Sequence, residues 1–289
     1  MNKIGIVSGL AAAAIWGGMY VVSKVVLAVI PPFTLITLRL LLGIFVLAIW
    51  VVLQGGLGFS TRDWLHVLGV GVVGYGISLG FQFVGTKLSN ASNGALITSA
   101  TPAFVLLFAF WIMKEALTWR RILALGIATI GVLVVIDPTN AKLSPDFFWG
   151  NLSLVGAAAT WALYSVLIRK VTRSLKPLPV SLVAFIGGLL ITIPASFWEI
   201  QSTGIGTITM GVVWGVLYLG IISTALAMFL WNYAFATLDA GLASLTLFAQ
   251  PVVGAGLGAW LLGEKLTPLF FAGGVLISLG IWIAIREAS

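Results

Sequence analysis

The chain has 289 residues, 60% hydrophobic and 8% charged, with a mean hydropathy of +1.15 and a formal net charge of +7. Soluble domains carry about 25% charged residues, so a soluble globule is excluded, and the absence of cysteine removes disulfides, thiolate catalysis and Cys-ligated zinc. One histidine, His66, and eight acids leave little for a metal site or an acid-base pair; no metal, cofactor or nucleic-acid partner is expected.

A spanning helix needs roughly 20 apolar residues. In chain order, such runs fall at 4-28, 33-53, 64-86, 91-113, 119-136, 148-170, 178-197, 210-236, 240-262 and 267-285, leaving only short loops in a lipid bilayer. The first follows Lys3 as a signal peptide would, but it continues past Trp16 to Val26 and reads as a helix. It carries Trp16 and Tyr20 one turn apart, and Lys24 near its far end, where snorkelling accounts for the ammonium. The second holds Arg39 about two turns in; that cation needs an aqueous cavity, a carboxylate or helix-end carbonyls, so Arg39 and Lys24 are candidate contacts to a substrate anion or a gate. In the third, His66 reads as a solvated helix residue, while Tyr75, Leu79 and Gln82 share a face. The fourth carries Ser99, Thr101 and Pro102. Trp161, Tyr164 and Ile168 share a face of the sixth, and the eighth contains Trp231 and Asn232. Ser244, Gln250 and Pro251 lie in the ninth. No Asp or Glu falls in the middle of any run, so the buried carboxylate usual for proton or sodium coupling is missing, and facilitated diffusion or exchange is expected.

Orientation follows from Lys and Arg on alternate loops. One side collects Lys3, Arg62, Lys114, Arg120, Arg121, Arg169, Lys170, Arg173, Lys176 and Arg286; the other has only Lys87, Lys142 and Lys265. Both termini are therefore expected in the cytoplasm.

Residues 91-118, ASNGALITSATPAFVLLFAFWIMKEALT, align without a gap with 240-267, AGLASLTLFAQPVVGAGLGAWLLGEKLT, 149 residues later. Pro102 matches Pro251, Thr101 matches Gln250, Glu115 matches Glu264, and Gly131 matches Gly280. AAAIWGGMYVVSK at 12-24 pairs with AAATWALYSVLIR at 157-169, setting Trp16 against Trp161 and Lys24 against Arg169. The chain thus divides into halves 1-144 and 145-289 with five spans each. Five is odd, so the halves enter the membrane from opposite sides as inverted repeats. The expected fold is an all-α polytopic membrane protein: ten transmembrane helices in two inverted five-helix repeats around a central cavity.

The proline-containing fourth helix of each half, its terminal glutamate and the glycine-bearing fifth helix resemble the EamA-like transporters of the drug/metabolite transporter superfamily. "GEKLTPLFFAGGVLISLGI" at 263-281 and "KEALTWRRILALGIATIGV" at 114-132 carry the likeness. The resemblance implies a small-metabolite transporter, exporting across the bacterial plasma membrane, with a small-molecule substrate; it leaves monomer or homodimer open. Glycines of helices five and ten would permit a dimer contact.

A helical proline removes one hydrogen bond and clashes with the carbonyl four residues back, here Thr98 and Leu247. Two broken helices then present carbonyls and polar side chains at the midplane, where inverted-repeat transporters commonly bind solutes. Gln250 is the first candidate, with Thr101, Ser99, Trp16, Tyr20, Tyr75, Gln82, Trp161, Tyr164, Asn232 and Ser244. Pro102 and Pro251 are the helix breaks; the competing reading is that they only bend helices to fit a bundle. Trp and Tyr also populate interfacial belts, but these lie several residues inside their runs. Glu115 and Glu264 read as structural helix ends, capping the next helix or pairing with Lys114 and Lys265. A mostly uncharged, aromatic-lined pocket suits a zwitterionic, partly apolar solute such as an amino acid; a quaternary amine or drug held by cation-π contacts is the alternative. A non-transporting scaffold would need neither feature.

"GISLG" at 76-80 fits the G-x-S-x-G pattern of a hydrolase. His66 is 12 residues away on the same helix, about 18 Å along its axis, and there is no second histidine, so no enzyme is expected. Gly76 with Gly80 and Gly254 with Gly258 read as G-x-x-x-G packing pairs.

Overall fold

The computed structural model of the chain describes residues 2-89, 97-136, 147-262 and 268-287, and of residues 20, 21, 24, 135, 136, 255 and 257-262 it describes the backbone alone. Its described residues are helical and contain no strand. In order they form α1 (Lys3–Leu27), α2 (Pro32–Leu53), α3 (Thr61–Leu88), α4 (Thr101–Met113), α5 (Trp119–Ile136), α6 (Phe148–Val171), α7 (Pro177–Thr203), α8 (Met210–Thr237), α9 and α10 (Pro268–Glu287). Helix α9 is built from Ala240–Leu245 and Ala249–Leu262, joined by a 3-10 turn at Thr246–Phe248. Helices α2, α3, α6, α7, α8 and α10 are each long and apolar enough to cross a membrane. Such runs fold as helices because a bilayer offers no partner for an unpaired backbone N–H or C=O. Their outward faces carry large apolar side chains, Phe45, Phe197 and Val275 among them, at 66%, 66% and 68% exposure.

Local sequence sets the helix ends. The Asn2 side chain accepts from the Ile4 and Gly5 amides at the start of α1, and Ser60 with Asp63 forms a reciprocal capping box that opens α3. Helix α4 stops where Lys114 takes a left-handed conformation (φ 58), which costs a non-glycine residue about 1–2 kcal/mol. Helix α7 runs on to Thr203, beyond the expected end at 197. It therefore includes a buried acid, Glu199, whose carboxylate accepts from the Thr34 amide (3.0 Å) and receives the Thr34 hydroxyl (3.4 Å) at the start of α2.

Glycines set the closest crossings. A Cβ on Gly71 would lie 2.0 Å from the Ala184 carbonyl oxygen, and one on Gly187 would lie 2.2 Å from that of Leu68, so α3 and α7 touch backbone to backbone. Gly69, two residues away, faces open space. Gly71→Ala is therefore expected to destabilise by about 1–3 kcal/mol through overpacking, while Gly69→Ala is neutral or slightly stabilising through helix propensity. Thermal unfolding of the two purified variants checks this, and equal melting temperatures would refute the crossing.

Helices α5 and α10 pack through a reciprocal contact. Gly131 abuts Gly273 and Ile277, and Gly280 abuts Ala124 and Ala128. Each residue of the second contact is 149 positions from its counterpart in the first. Gly131, Gly273 and Gly280 are thus used inside one chain, where pairing them brings two backbones together with no side chain between, while Gly126 and Gly274 of the same helices face open space. Of the G-x-x-x-G residues, Gly80 accommodates the Phe33 ring of α2, Gly76 meets Ile191 of α7, and Gly254 meets the Gly17 backbone of α1.

Candidate functional site

Helices α4 and α9, the fourth of each half, are interrupted just before the proline they share at one repeat position, whereas α7 runs unbroken through Pro194. In the first half the turn at Ser99 and Ala100 precedes Thr101-Pro102; in the second the 3-10 turn Thr246–Phe248 precedes Ala249-Gln250-Pro251. The interruptions overlap in the repeat at Ser99 and its mate Phe248. Proline supplies no N–H to the preceding turn, so the backbone tightens or opens there. Helices α3 and α8 each contain a π-helical stretch, Val72–Ser78 and Tyr218–Leu226.

Residues at or beside the interruptions of α3, α4 and α9, with others from α1, α6 and α8, line a cavity with about 470 Å³ of unfilled space, its mouth included. Trp16, Trp161, Gln250, Thr101 and Gln82 line it, together with Thr98, Leu247, Ser78, Leu79, Met19, Met228, Ala157 and Ala158. Three repeat-related pairs are among them: Trp16 with Trp161, Thr101 with Gln250, and Thr98 with Leu247. Trp16 and Trp161 meet edge to face with centroids 5.7 Å apart. Trp16 is fixed by Nε1 donating to the Ser223 carbonyl (3.0 Å), within the π stretch of α8. Gln250 Nε2 donates to the Trp16 carbonyl (3.4 Å). That contact depends on Gly17, where a Cβ would lie 2.8 Å from the Gln250 carbonyl oxygen. Ala157 and Ala158 leave the room that larger residues would fill.

Tyr75, Tyr164 and Asn232 do not line the cavity. They form a sealed polar cluster beside it: the two tyrosine hydroxyls hydrogen-bond each other, Tyr164 OH donates to Asn232 Oδ1 (2.8 Å), and Asn232 Nδ2 donates to Tyr75 OH (3.3 Å) and Ser181 Oγ (2.9 Å). All are fully buried. The cluster supports the cavity wall, since the Trp161 ring packs 4.9 Å from that of Tyr164 and 6.1 Å from that of Tyr75. A 3.6-residue period puts Tyr75 on a shared face with Leu79 and Gln82. It lies instead in the π stretch, where a wider turn rotates it away from them. Ser244 is buried against its own helix, donating to the Gly241 carbonyl (2.8 Å), and Ser99 lies outside the lining. Pro102 is buried and Pro251 half-buried beside the lining residues. The side chains of Tyr20 and Lys24, and all of Glu264, lie outside the described residues.

Ser78, inside the hydrolase-like pattern, donates its hydroxyl to the Ala157 carbonyl (3.0 Å) and faces the cavity. Periodicity gave no signal for Ser78, Met19 or Met228, because only packing tells a cavity-facing small or flexible residue from a core one.

Arg39 is fully buried. Its Nε donates to Thr224 Oγ1 (2.9 Å), its Nη2 reaches Ser223 Oγ (3.4 Å) and Met19 Sδ (3.6 Å), and its guanidinium lies 5.0 Å from the Phe83 ring centroid.

One end of the bundle is closed by charge. Glu115, just past α4, accepts from Arg169 Nε of α6 (2.7 Å) and from the Ala240 amide that opens α9 (3.1 Å). Arg121 of α5 bridges Glu115 (3.7 Å) and Asp239 (3.3 Å). Glu115 thus binds α6 and α9, in place of the expected partner Lys114 or a cap on α5, because the left-handed turn at Lys114 reverses the chain. Between this network and the cavity lie Phe235 and Trp231, in ring contact at 4.8 Å, with Trp231 Nε1 donating to Ser165 Oγ (3.0 Å).

The sequence profile described as the EamA-like transporter family matches residues 3–137 and again 148–286. A protein of Archaeoglobus fulgidus named "Uncharacterized transporter" is 25% identical over 273 residues, 93% of each chain. "Probable amino-acid metabolite efflux pump" proteins of Salmonella typhimurium and Escherichia coli are 28% and 27% identical, covering 95% and 98% of this chain and 92% and 95% of theirs. A solved crystal structure superposes with a TM-score of 0.82 at 20% identity, over 100% of this chain and 98% of the other, a likeness of fold. With its membrane-spanning helices, its interrupted proline helices and two profile matches along its length, the chain is a multi-pass membrane protein of the EamA-like transporter family.

Proposed function

We propose that the chain exports small zwitterionic, partly apolar solutes, amino acids above all, through alternating access of two inverted five-helix halves in the plasma membrane. The observation that carries this reading is the cavity itself, lined by side chains that are mates in the repeat, Trp16 with Trp161 and Thr101 with Gln250. A solute there touches both halves, so a rocking of one against the other changes its access without moving its contacts far. The reciprocal α5-α10 contact and the two successive profile matches support the pseudo-twofold relation. The distribution of Lys and Arg supports a cytoplasmic position for both termini and for the Glu115-Arg169 end, and on this reading the salt-bridged end is the cytoplasmic one. The relatives named as amino-acid metabolite efflux pumps support both solute class and direction. The tryptophan faces also suit a quaternary amine, and the transport assay separates the two.

The test is counterflow in proteoliposomes over labelled amino acids, amines and sugars. Amino acids are expected to exchange, and Gln250→Leu and Trp161→Ala each to cut flux about tenfold, the effect of one lost polar or packing contact. If no amino acid moves, or both variants leave the flux of every solute unchanged, the reading is wrong.

A further inference from the structure

We propose that Arg39 anchors the carboxylate of the transported solute, reached from the cavity when the Met19 side chain swings aside. The inference rests on the transport reading above and adds the charged group that selects the solute.

A guanidinium fully buried in a spanning helix is costly unless a negative charge meets it. Among the described residues every ion pair lies at the Glu115 end of the bundle, and none involves Arg39. Its donors are unequally used. Nε is held by the Thr224 hydroxyl, which in turn donates to the Leu219 carbonyl (2.7 Å) and so keeps its lone pair turned to the arginine. Nη2 has only a long contact to Ser223 and a thioether sulfur, a weak acceptor. Nη1 has no hydrogen-bond partner. One corner of the guanidinium is thus clamped, and the Nη1-Nη2 edge, which takes a carboxylate bidentately, is left to weak acceptors or none.

The cavity lies directly beyond this edge's weak partner, because Met19 both holds Nη2 and lines the cavity wall. Methionine is unbranched with three rotatable bonds, so it yields without disturbing the backbone. The clamp belongs to the π stretch of α8, whose Ser223 carbonyl also fixes Trp16, so the charge and the aromatic wall are held by one element. A zwitterion with its carboxylate on Arg39 would set its ammonium among the faces of Trp16 and Trp161 and the Gln250 amide. A purely structural Arg39 would brace α2 against α8 equally well, and the experiment distinguishes the roles.

Counterflow by the full chain in liposomes is measured for labelled L-leucine, L-methionine and L-phenylalanine, each competed by the free acid and by its uncharged-carboxyl counterpart, the amide. Wild type is expected to prefer acid over amide by about 10- to 100-fold, the worth of a charge-assisted hydrogen bond. Arg39→Gln removes that preference and brings acids down to the level of amides. Thr224→Val keeps the charge but loosens its clamp, and is expected to lower the preference about threefold or more; it carries the test if Arg39→Gln fails to fold. An unchanged acid preference in a folded Arg39→Gln, or in Thr224→Val, overturns the assignment while leaving amino-acid transport standing. A wild type that moves amides and amines but no acid also overturns it. A wild type that moves none of these overturns both the assignment and the proposed function.

Discussion

Glu115→Gln is expected to open the end of the bundle that the carboxylate now ties shut. Glu115 is the single anion shared by Arg169, Arg121 and the Ala240 amide, and its side chain is only 12% exposed. An amide in its place keeps the shape but leaves Arg169 and Arg121 without their common counter-charge. Removing one partner of a buried pair costs about 3–5 kcal/mol; the side chains here retain 12–20% exposure, so about 2–4 kcal/mol is the expectation. Because the network joins α4 and α5 to α6 and α9, the loss should loosen that end as well as lower the melting temperature. The chain has no cysteine, so Ser244→Cys, fully buried at one turn into α9, reports the opening without background. Maleimide labelling at that position should rise severalfold when Glu115→Gln is added. Unchanged labelling would mean the network is not what closes the end.

The second large effect is expected at Asn232. Its side chain joins Tyr75, Tyr164 and Ser181 in a fully buried cluster, where no water replaces a lost partner. Asn232→Leu preserves volume but leaves Tyr75, Tyr164 and Ser181 each short of one partner. At about 1–3 kcal/mol per orphaned group, a loss of about 3 kcal/mol or more follows. Flux should fall too, because Trp161 packs on the two tyrosine rings. Adding Tyr75→Phe and Tyr164→Phe together removes both hydroxyls that depend on Asn232, so the triple variant should be more stable than the sum of the separate losses requires. Additivity within about 0.5 kcal/mol in chemical or thermal unfolding would show that the hydroxyls do not depend on Asn232.

Depth along the chain was readable from the sequence. Proline-bearing runs with a polar residue just before the proline placed Thr101 and Gln250 at the level of the cavity, and Trp16, Trp161 and Gln82 fell at the same level. Direction around the helix axis was less so. The period that grouped Tyr75 with Gln82 assumes an unbroken α-helix, and the π stretch Val72–Ser78 violates it; nothing in VVGYGIS announces the wider turn. Glu199 was missed because the apolar run thins out before Trp198, although the helix continues, held by the Thr34 amide of another helix.

A helical membrane protein with two similar halves was legible from the residues alone, because long apolar runs satisfy their backbone in a bilayer only as helices and because a proline and a glutamate recur at one offset. The partners each side chain meets became visible only in three dimensions. Glu115 meets an amide 125 residues away, Arg39 meets hydroxyls 184 and 185 residues away, and the polar cluster of Asn232 draws on four helices. Such pairings depend on which faces the helices turn to each other, and that is set by glycine-sized gaps and altered turns acting together, at a range where periodicity within one helix carries no information.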